Sequence, residues 1–422
     1  MLRGLKKSKL FKSFSVYIVA NFFNSAIGLL LLPLFTHYLN PDDYGTLSLI
    51  TTTIAVMSII IMIGADGSLR REFYNFKGER YALFFTSSLF LCLVSFILLL
   101  AVCYFFGSYL LPFIQISEEW LYYSIVISLL TILPTVVMGQ YRVEQNAKYY
   151  AFYSNAMTVV NMGLGIFLVA VLKMNFEGRG FSLLITNLIF TVIAVFILQK
   201  KKLFVTQFNR EDANATFRYG LPLVPHQLGA LILNYSDRYF IANFVNISAT
   251  GLYNVGYTVG SIIGKVEGAF TTAYVPFLFE ELSKNQLSAD KKVVKVSWLF
   301  ILALLVSTLA LYGFSEVLFR YVIDQKYLEA KSFVLIISLG YFFSGCYKMV
   351  TGYIFYEKKT IYLTYLAVFN IIINLILNFF LIRNFGAMGA AYATLISFFL
   401  MFVITAFIAN NVRKMPWFYF IR

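Results

Sequence analysis

The sequence predicts an all-α polytopic membrane protein, with about twelve transmembrane helices in two six-helix bundles related by a parallel pseudo-twofold repeat. Three observations predict it. The 422-residue chain is 60% hydrophobic and only 13% charged, well outside the range of soluble domains. Its apolar runs are long and unbroken and lack the alternation of a barrel strand, so each must satisfy its own backbone hydrogen bonds as a helix. Landmarks of the first half also recur, in the same order, in the second. Residues 35–48 line up with 241–254, which sets Asn40 on Asn246 and Gly45 on Gly251 at an offset of 206. Residues 176–180 match 385–389 at an offset of 209, and Glu144, Tyr149 and Asn161 fall on Glu357, Tyr362 and Asn374 at an offset of 213.

A span needs about 20 apolar residues. On that criterion twelve are expected, near 14–38, 46–65, 81–105, 120–139, 150–172, 181–199, 219–245, 250–272, 296–315, 332–350, 361–382 and 389–410. The eighth is interrupted by glycines, Lys265 and Glu267, and its pattern extends to about 282. Charge sets the orientation. With both termini in the cytoplasm, the Lys and Arg residues concentrate in the inner segments; only Lys173, Arg179, Arg238, Lys265, Arg320, Lys326, Lys331 and Arg383 fall elsewhere. That bias is the positive-inside rule, and it accounts for most of the net charge of +14. Nucleic acid is therefore not an expected partner.

The expected organisation is a basic cytoplasmic tail (1–13), an N-terminal six-helix bundle (14–199), a cytoplasmic linker (200–218), a C-terminal six-helix bundle (219–410) and a second cytoplasmic tail (411–422). The start of the chain leads into a full-length span with no small-residue cleavage site, so the tail is read as uncleaved and lying on anionic headgroups. Six spans per half return the chain to the same side of the membrane. The duplication is therefore parallel, and the two bundles are expected to face each other across a central cavity that works by alternating access. Cys92, Cys103 and Cys346 all lie in apolar runs and read as small buried hydrophobes, so neither a disulfide framework nor a metal site is expected.

Several motifs carry a family resemblance. Asn40-Pro-Asp-Asp-Tyr-Gly45 resembles the L-x-P-x-[DE]-[FY]-G element of the polysaccharide (O-antigen) repeat-unit flippases, the Wzx-type members of the multidrug/oligosaccharidyl-lipid/polysaccharide exporter superfamily. So do Tyr219-Gly-Leu-Pro-Leu-Val-Pro-His226, Asp237-Arg-Tyr-Phe-Ile241, Gly251-Leu-Tyr-Asn-Val-Gly256 and Gly386-Ala-Met-Gly-Ala-Ala391. The resemblance covers essentially the whole chain. It implies a bacterial inner-membrane protein that moves an undecaprenyl-pyrophosphate-linked oligosaccharide from the cytoplasmic to the outer leaflet. The implied partners are that lipid-linked oligosaccharide, membrane lipids and other polysaccharide-assembly proteins, with no cofactor.

Ionisable residues within spans are costly, which makes them site candidates. Gln227, Asn234 and Arg238 follow at intervals of seven and four and share one face of the seventh span. Lys265 lies deeper in the eighth span and Lys348 near the inner end of the tenth. With Arg238 they form a candidate cationic path for a pyrophosphate, which an Arg takes bidentately and a Lys as a point charge. The structural alternatives are an Arg238 paired with a carboxylate on a neighbouring helix and a Lys348 that snorkels to the interface. Asp237, about 100° round the helix from Arg238, is expected to serve another partner, and Glu267 lies nearly opposite Lys265.

Asn370, Asn374 and Asn378 share one face of the eleventh span, either gluing two helices together or lining a wet cavity. Asn24 and Gly28 read as close helix packing in the first span. Asp66 and Arg70 are spaced to pair locally, as an interface anchor or a cytoplasmic gate. His226 follows Pro222 and Pro225 and is either a proton-coupling group or a satisfied interface histidine.

Two other functions compete with the flippase. A drug or cation antiporter of the same superfamily would be expected to bury carboxylates for its substrate, whereas the mid-span charges here lean cationic. A membrane glycan polymerase, ligase or glycosyltransferase needs an outer loop with acid, base or metal-binding residues. The sequence has no D-x-D and no metal-ligand cluster, so it is not read as an enzyme. Most of the candidate chemistry lies in the second half, which is expected to do more of the substrate binding.

Overall fold

The computed structural model describes residues 27–417 and 419, with Val16, Val19, Ala20, Phe23 and Asn24 before them. Among these residues every regular element is helical. The chain divides into two compact units, Met1–Tyr235 and Ser236–Arg422. The first holds α1 (Leu32–Tyr38), α2 (Pro41–Met62), α3 (Ala65–Asn75), α4 (Gly78–Ile114), α5 (Glu118–Leu130), α6 (Ile132–Val143), α7 (Ala147–Ile166), α8 (Asn175–Lys200) and α9 (Arg210–Gly220). Helix α10 (Leu223–Phe244) begins in the first unit and ends in the second. The second continues with α11 (Ile247–Gly260), α12 (Ile262–Ser283), α13 (Leu287–Tyr321), α14 (Lys331–Tyr356), α15 (Ile361–Phe385) and α16 (Ala387–Val412).

Among the described residues nine helices are long and apolar enough to cross a membrane, with α5 and α6 running as one, Glu118–Val143. Three of the twelve expected spans are not among them. The first, 14–38, lies partly outside the described residues, and what is described includes the shorter apolar helix Ile27–Tyr38. The seventh forms α10, whose 22 residues include His226, Gln227, Asn234, Asp237 and Arg238 and so dilute its apolar character. The eighth is broken at Ser261 into α11 and α12, and α12 carries Lys265 and Glu267 and continues to Ser283.

The duplication seen in the sequence is also a repetition of local structure inside each unit. Asn40 caps α2 by accepting from the Asp43 backbone N–H at 2.8 Å, and Asn246 caps α11 by accepting from the Ala249 N–H at 2.7 Å. Both satisfy donors that a helix start leaves open. Helices α4 and α13 are 37 and 35 residues long. At about 1.5 Å per residue both exceed about 50 Å, well beyond a hydrocarbon core of about 30 Å. Glu144 ends α6 and Glu357 ends α14, and each pairs with the cation that follows the closing span of its own half: Lys201 after α8, Arg413 after α16. Asn161 donates to the Ser182 carbonyl of α8 at 3.3 Å, and its counterpart Asn374 donates to the Ser397 hydroxyl of α16 at 3.2 Å.

The polar helices of the first unit are packed against each other. Gly64, at φ +75°, lies so close to Gly220 that a Cβ on Gly220 would sit 1.6 Å from the Ile63 carbonyl oxygen. Asp212 of α9 accepts from both terminal nitrogens of Arg80 at 2.5 and 2.6 Å, and the hydroxyls of Ser68, Ser88 and Thr216 meet beside it. The three cysteines are free and buried.

Candidate functional site

Within the second unit, charges from α10, α12 and α14 gather into one buried polar chain. Asp237 and Arg238 are both sealed from solvent. Arg238 Nη1 donates to Asp237 Oδ1 at 2.7 Å and Nη2 donates to Asn254 Oδ1 at 3.2 Å. The guanidinium also lies over the Tyr257 ring, 4.6 Å from its centroid. Tyr253, one turn before Tyr257 on α11, donates its hydroxyl to Asp237 Oδ2. The Tyr257 and Tyr341 hydroxyls are 2.7 Å apart and carry the chain to α14. There Ser344 and Lys348 follow Tyr341 at intervals of three and four, on one face. Ser344 Oγ donates to Glu267 Oε1 at 3.3 Å, and Lys348 forms an ion pair with the same oxygen.

Glycine makes room for this contact. A Cβ on Gly264 would meet the Tyr341 ring at 2.6 Å, so Gly264 lets α12 and α14 approach. An isolated ion at such depth costs several kcal/mol, and a paired, hydrogen-bonded one much less. The Glu267 side chain is 1% exposed while that of Lys348 is 41% exposed, so the second pair is closed at one end and open at the other. Glu267 Oε2 is buried with no hydrogen-bond partner.

This arrangement corrects the cationic path. Arg238 pairs with the residue next to it rather than presenting a free cation, although backbone geometry places the two about 100° apart. The reach of the arginine closes that angle, and Asp237 Oδ1 also accepts the backbone N–H of Arg238 at 2.9 Å. Lys348 pairs with Glu267 instead of snorkelling, and Glu267, turned away from Lys265, finds its partner on another helix. Lys265 is exposed. The expectation that mid-span charge leans cationic fails at both pairs, since each brings its own carboxylate.

Gln227 and His226 are exposed, Asn234 donates to the Ala230 carbonyl at 2.7 Å, and Arg238 enters the chain. Asn370, Asn374 and Asn378 are all buried. Asn378 Nδ2 donates to Asn374 Oδ1 at 3.0 Å and Asn374 to Ser397 of α16, which is helix-to-helix glue. Asp66 and Arg70 form the local pair at 2.8 Å. Burial pushes the Asp66 carboxyl up, against the opposing pull of Arg70 and Arg142. Asn24 donates to Ser154 at 2.8 Å, whereas a Cβ on Gly28 would meet nothing within 4 Å among the described residues, so Gly28 makes no close helix contact there. Tyr253, Asn254, Tyr257, Tyr341 and Ser344 were not singled out from the sequence. The signal for two of them was the motif Gly251-Leu-Tyr-Asn-Val-Gly256, with Tyr257 following Tyr253 by one turn.

Repeated helical halves with ionised residues buried inside them define a polytopic membrane protein, and its fold is that of the multidrug/oligosaccharidyl-lipid/polysaccharide superfamily. The chain resembles the lipid II flippase MurJ in an inward closed conformation, with a TM-score of 0.75 at 15% identity over 95% of this chain and 88% of that one. It also resembles an inward-facing multidrug resistance MATE family transporter, with a TM-score of 0.66 at 12% identity over 93% and 96%. At the level of sequence, residues 10–282 match the family described as polysaccharide biosynthesis protein, and the chain belongs to that family. Similar proteins include Lsg locus putative protein 1 of Haemophilus influenzae, 23% identical over 373 residues that cover 86% of this chain and 89% of the relative. Another is the probable low-salt glycan biosynthesis flippase Agl15 of Haloferax volcanii, 23% identical over 390 residues, 90% of this chain and 79% of the relative.

Proposed function

We propose that the protein is a flippase of a bacterial inner membrane, with both termini in the cytoplasm. It carries an undecaprenyl-pyrophosphate-linked oligosaccharide repeat unit from the cytoplasmic to the outer leaflet by alternating access of its two halves, and it works beside other polysaccharide-assembly proteins. The observation that carries this reading is the family match over 10–282, a stretch that includes Asp237, Arg238 and Glu267. Two of the similar proteins are named flippases, one for lipid II and one in low-salt glycan biosynthesis. No bond is made or broken in this reading, so the residues bind and reposition rather than catalyse.

The half-open Lys348–Glu267 pair is the responsive element. An anionic group arriving at Lys348 competes with Glu267 for its ammonium. Withdrawal of the lysine leaves a buried carboxylate held by Ser344 alone among its described side-chain partners, which must find a new arrangement. A ligand shifts such an equilibrium only through its different affinity for the two states, and competition for one cation supplies that difference.

The test is a deletion strain in which surface glycan and membrane-associated lipid-linked repeat units are measured together. Deletion should remove the glycan and accumulate the repeat unit. The wild-type chain should restore export, and Lys348→Gln at equal membrane abundance should not. Intact export with lost drug tolerance would overturn the reading in favour of a drug or cation antiporter, and sugar transfer by the purified protein would make it an enzyme.

A further inference from the structure

Arg179, near the start of α8, lies within the repeated landmark 176–180 and belongs to none of the polar chains described above. Its guanidinium lies in the first unit against an apolar cluster built on Phe35, Leu39 and Val169. Cζ is 5.5 Å from the centroid of the Phe35 ring. Nη1 donates to Ser182 Oγ at 2.5 Å, and the neighbour of Nη2 is the Met162 sulfur at 3.8 Å. Gly165 of α7 provides the space, since a Cβ there would meet Arg179 Cδ and the Phe35 ring at 3.3 Å.

Two comparisons single this residue out. Arg238 and Arg413 also have little exposed side chain, and each holds a carboxylate, whereas among the described residues no carboxylate pairs with Arg179. A guanidinium has five N–H donors, and one hydroxyl and one thioether leave most of them for an outside acceptor. The second comparison is internal. At the offset of 209, Arg179 falls on Met388, so the closing helix of the other half starts with an apolar side chain at that place. The framework does not require a cation there.

We propose that Arg179 binds the phosphate of the lipid-linked substrate, with Ser182 beside it and the Phe35 wall receiving the first part of the lipid chain; this rests on the flippase reading. The planar fork of an arginine suits a phosphate, and the surrounding apolar residues suit one attached to a prenyl chain. Substrate pyrophosphate and bulk anionic phospholipid share this chemistry, and the experiment separates them.

Full-length protein in phosphatidylcholine nanodiscs is titrated with radiolabelled farnesyl pyrophosphate and with farnesol, using empty nanodiscs as the partition blank. Arg179→Met, which copies the other half, should weaken pyrophosphate binding about tenfold or more while leaving farnesol unchanged. Arg179→Lys, which keeps the charge without the fork, should fall between. Equal pyrophosphate binding by wild type and both variants overturns the proposal. Displacement of farnesyl pyrophosphate by phosphatidylglycerol at membrane-like abundance overturns the assignment to substrate. Failure of the flippase reading looks different: glycan export would be normal in the deletion strain, whatever the titration shows.

Discussion

The two halves share their framework and differ in how they treat charge. Asn40 and Asn246 cap equivalent helices, and Glu144–Lys201 and Glu357–Arg413 tie equivalent helix ends. The chemistry does not follow the repeat. Asp237 and Arg238 fall on Leu31 and Leu32 at the offset of 206, Lys348 falls on Thr135 at 213, and Arg179 falls on Met388 at 209. Contacts that close helices are thus duplicated, while buried ions sit in one half or the other. The second half buries its ions as neutral pairs, whereas the first, beside its Arg80–Asp212 pair, holds Arg179 half-buried with no carboxylate partner among the described residues. On the proposal above, a phosphate would be met by Arg179 in the first half as well as by Lys348 in the second.

The largest effect should come from separating a buried pair. Lys348→Met leaves Glu267 buried without its cation and should cost about 3 kcal/mol in an unfolding titration of the detergent-solubilised protein. Adding Glu267→Met removes the stranded carboxylate and should recover most of that loss, because an apolar pair of similar volume is often as stable. A single variant as stable as wild type would mean that this pair does not hold α12 to α14.

Next come the paired glycines of the second landmark. A Cβ on Gly389 would meet the Leu381 carbonyl oxygen at 2.1 Å, and one on Gly180 would meet the Trp120 ring at 2.1 Å. An indole can tilt, whereas a helix backbone has to move as a unit. Gly389→Ala should therefore cost about 2 kcal/mol or more and Gly180→Ala less, read as the two midpoints of thermal unfolding. The reverse order would show that the backbone at Leu381 yields more readily than the Trp120 ring.

Class and framework were readable from the sequence because they depend on what is summed over many residues. Long apolar runs need no knowledge of neighbours, and Asn40 and Asn246 announce themselves as caps by their place before a helix. Partners were less readable. Spacing on a helix correctly suggested Asp66 with Arg70, but it argued against Asp237 with Arg238, where side-chain reach overrides backbone angle. Glu267 with Lys348, across 81 positions of chain, is set by tertiary packing that no local pattern encodes. Arg179 was passed over because its significance is a missing partner, and a missing partner is visible only once the neighbours are in place.

The ion pairs at the helix ends sharpen the comparison further. Arg413 is held by two carboxylates, Glu357 at 3.0 Å and Asp290 at 3.3 Å, with its side chain 15% exposed, while Lys201 holds Glu144 alone. Arg413→Met should cost about 1.5 kcal/mol and Lys201→Met less than about 1 kcal/mol. Equal losses would mean that the second carboxylate adds nothing.

The smallest effect expected is the pH slope that Asp66 contributes in the first half. Burial works against the Arg413 charge, but its bonds to Glu357 and Asp290 prevail and raise its pKa, so that clamp keeps its arginine charged at any ordinary pH. Asp66 behaves differently, because burial raises its carboxyl despite Arg70 and Arg142. A carboxyl raised in the folded state binds more protons folded than unfolded. Its contribution to stability is therefore present at low pH and is lost as pH rises from the ordinary carboxylate range through the raised value. Asp66→Asn should remove that slope, a change of under about 1 kcal/mol, in unfolding midpoints compared across that window. Retention of the full slope in the variant would assign it to another carboxyl and leave the two ends of the comparison alike.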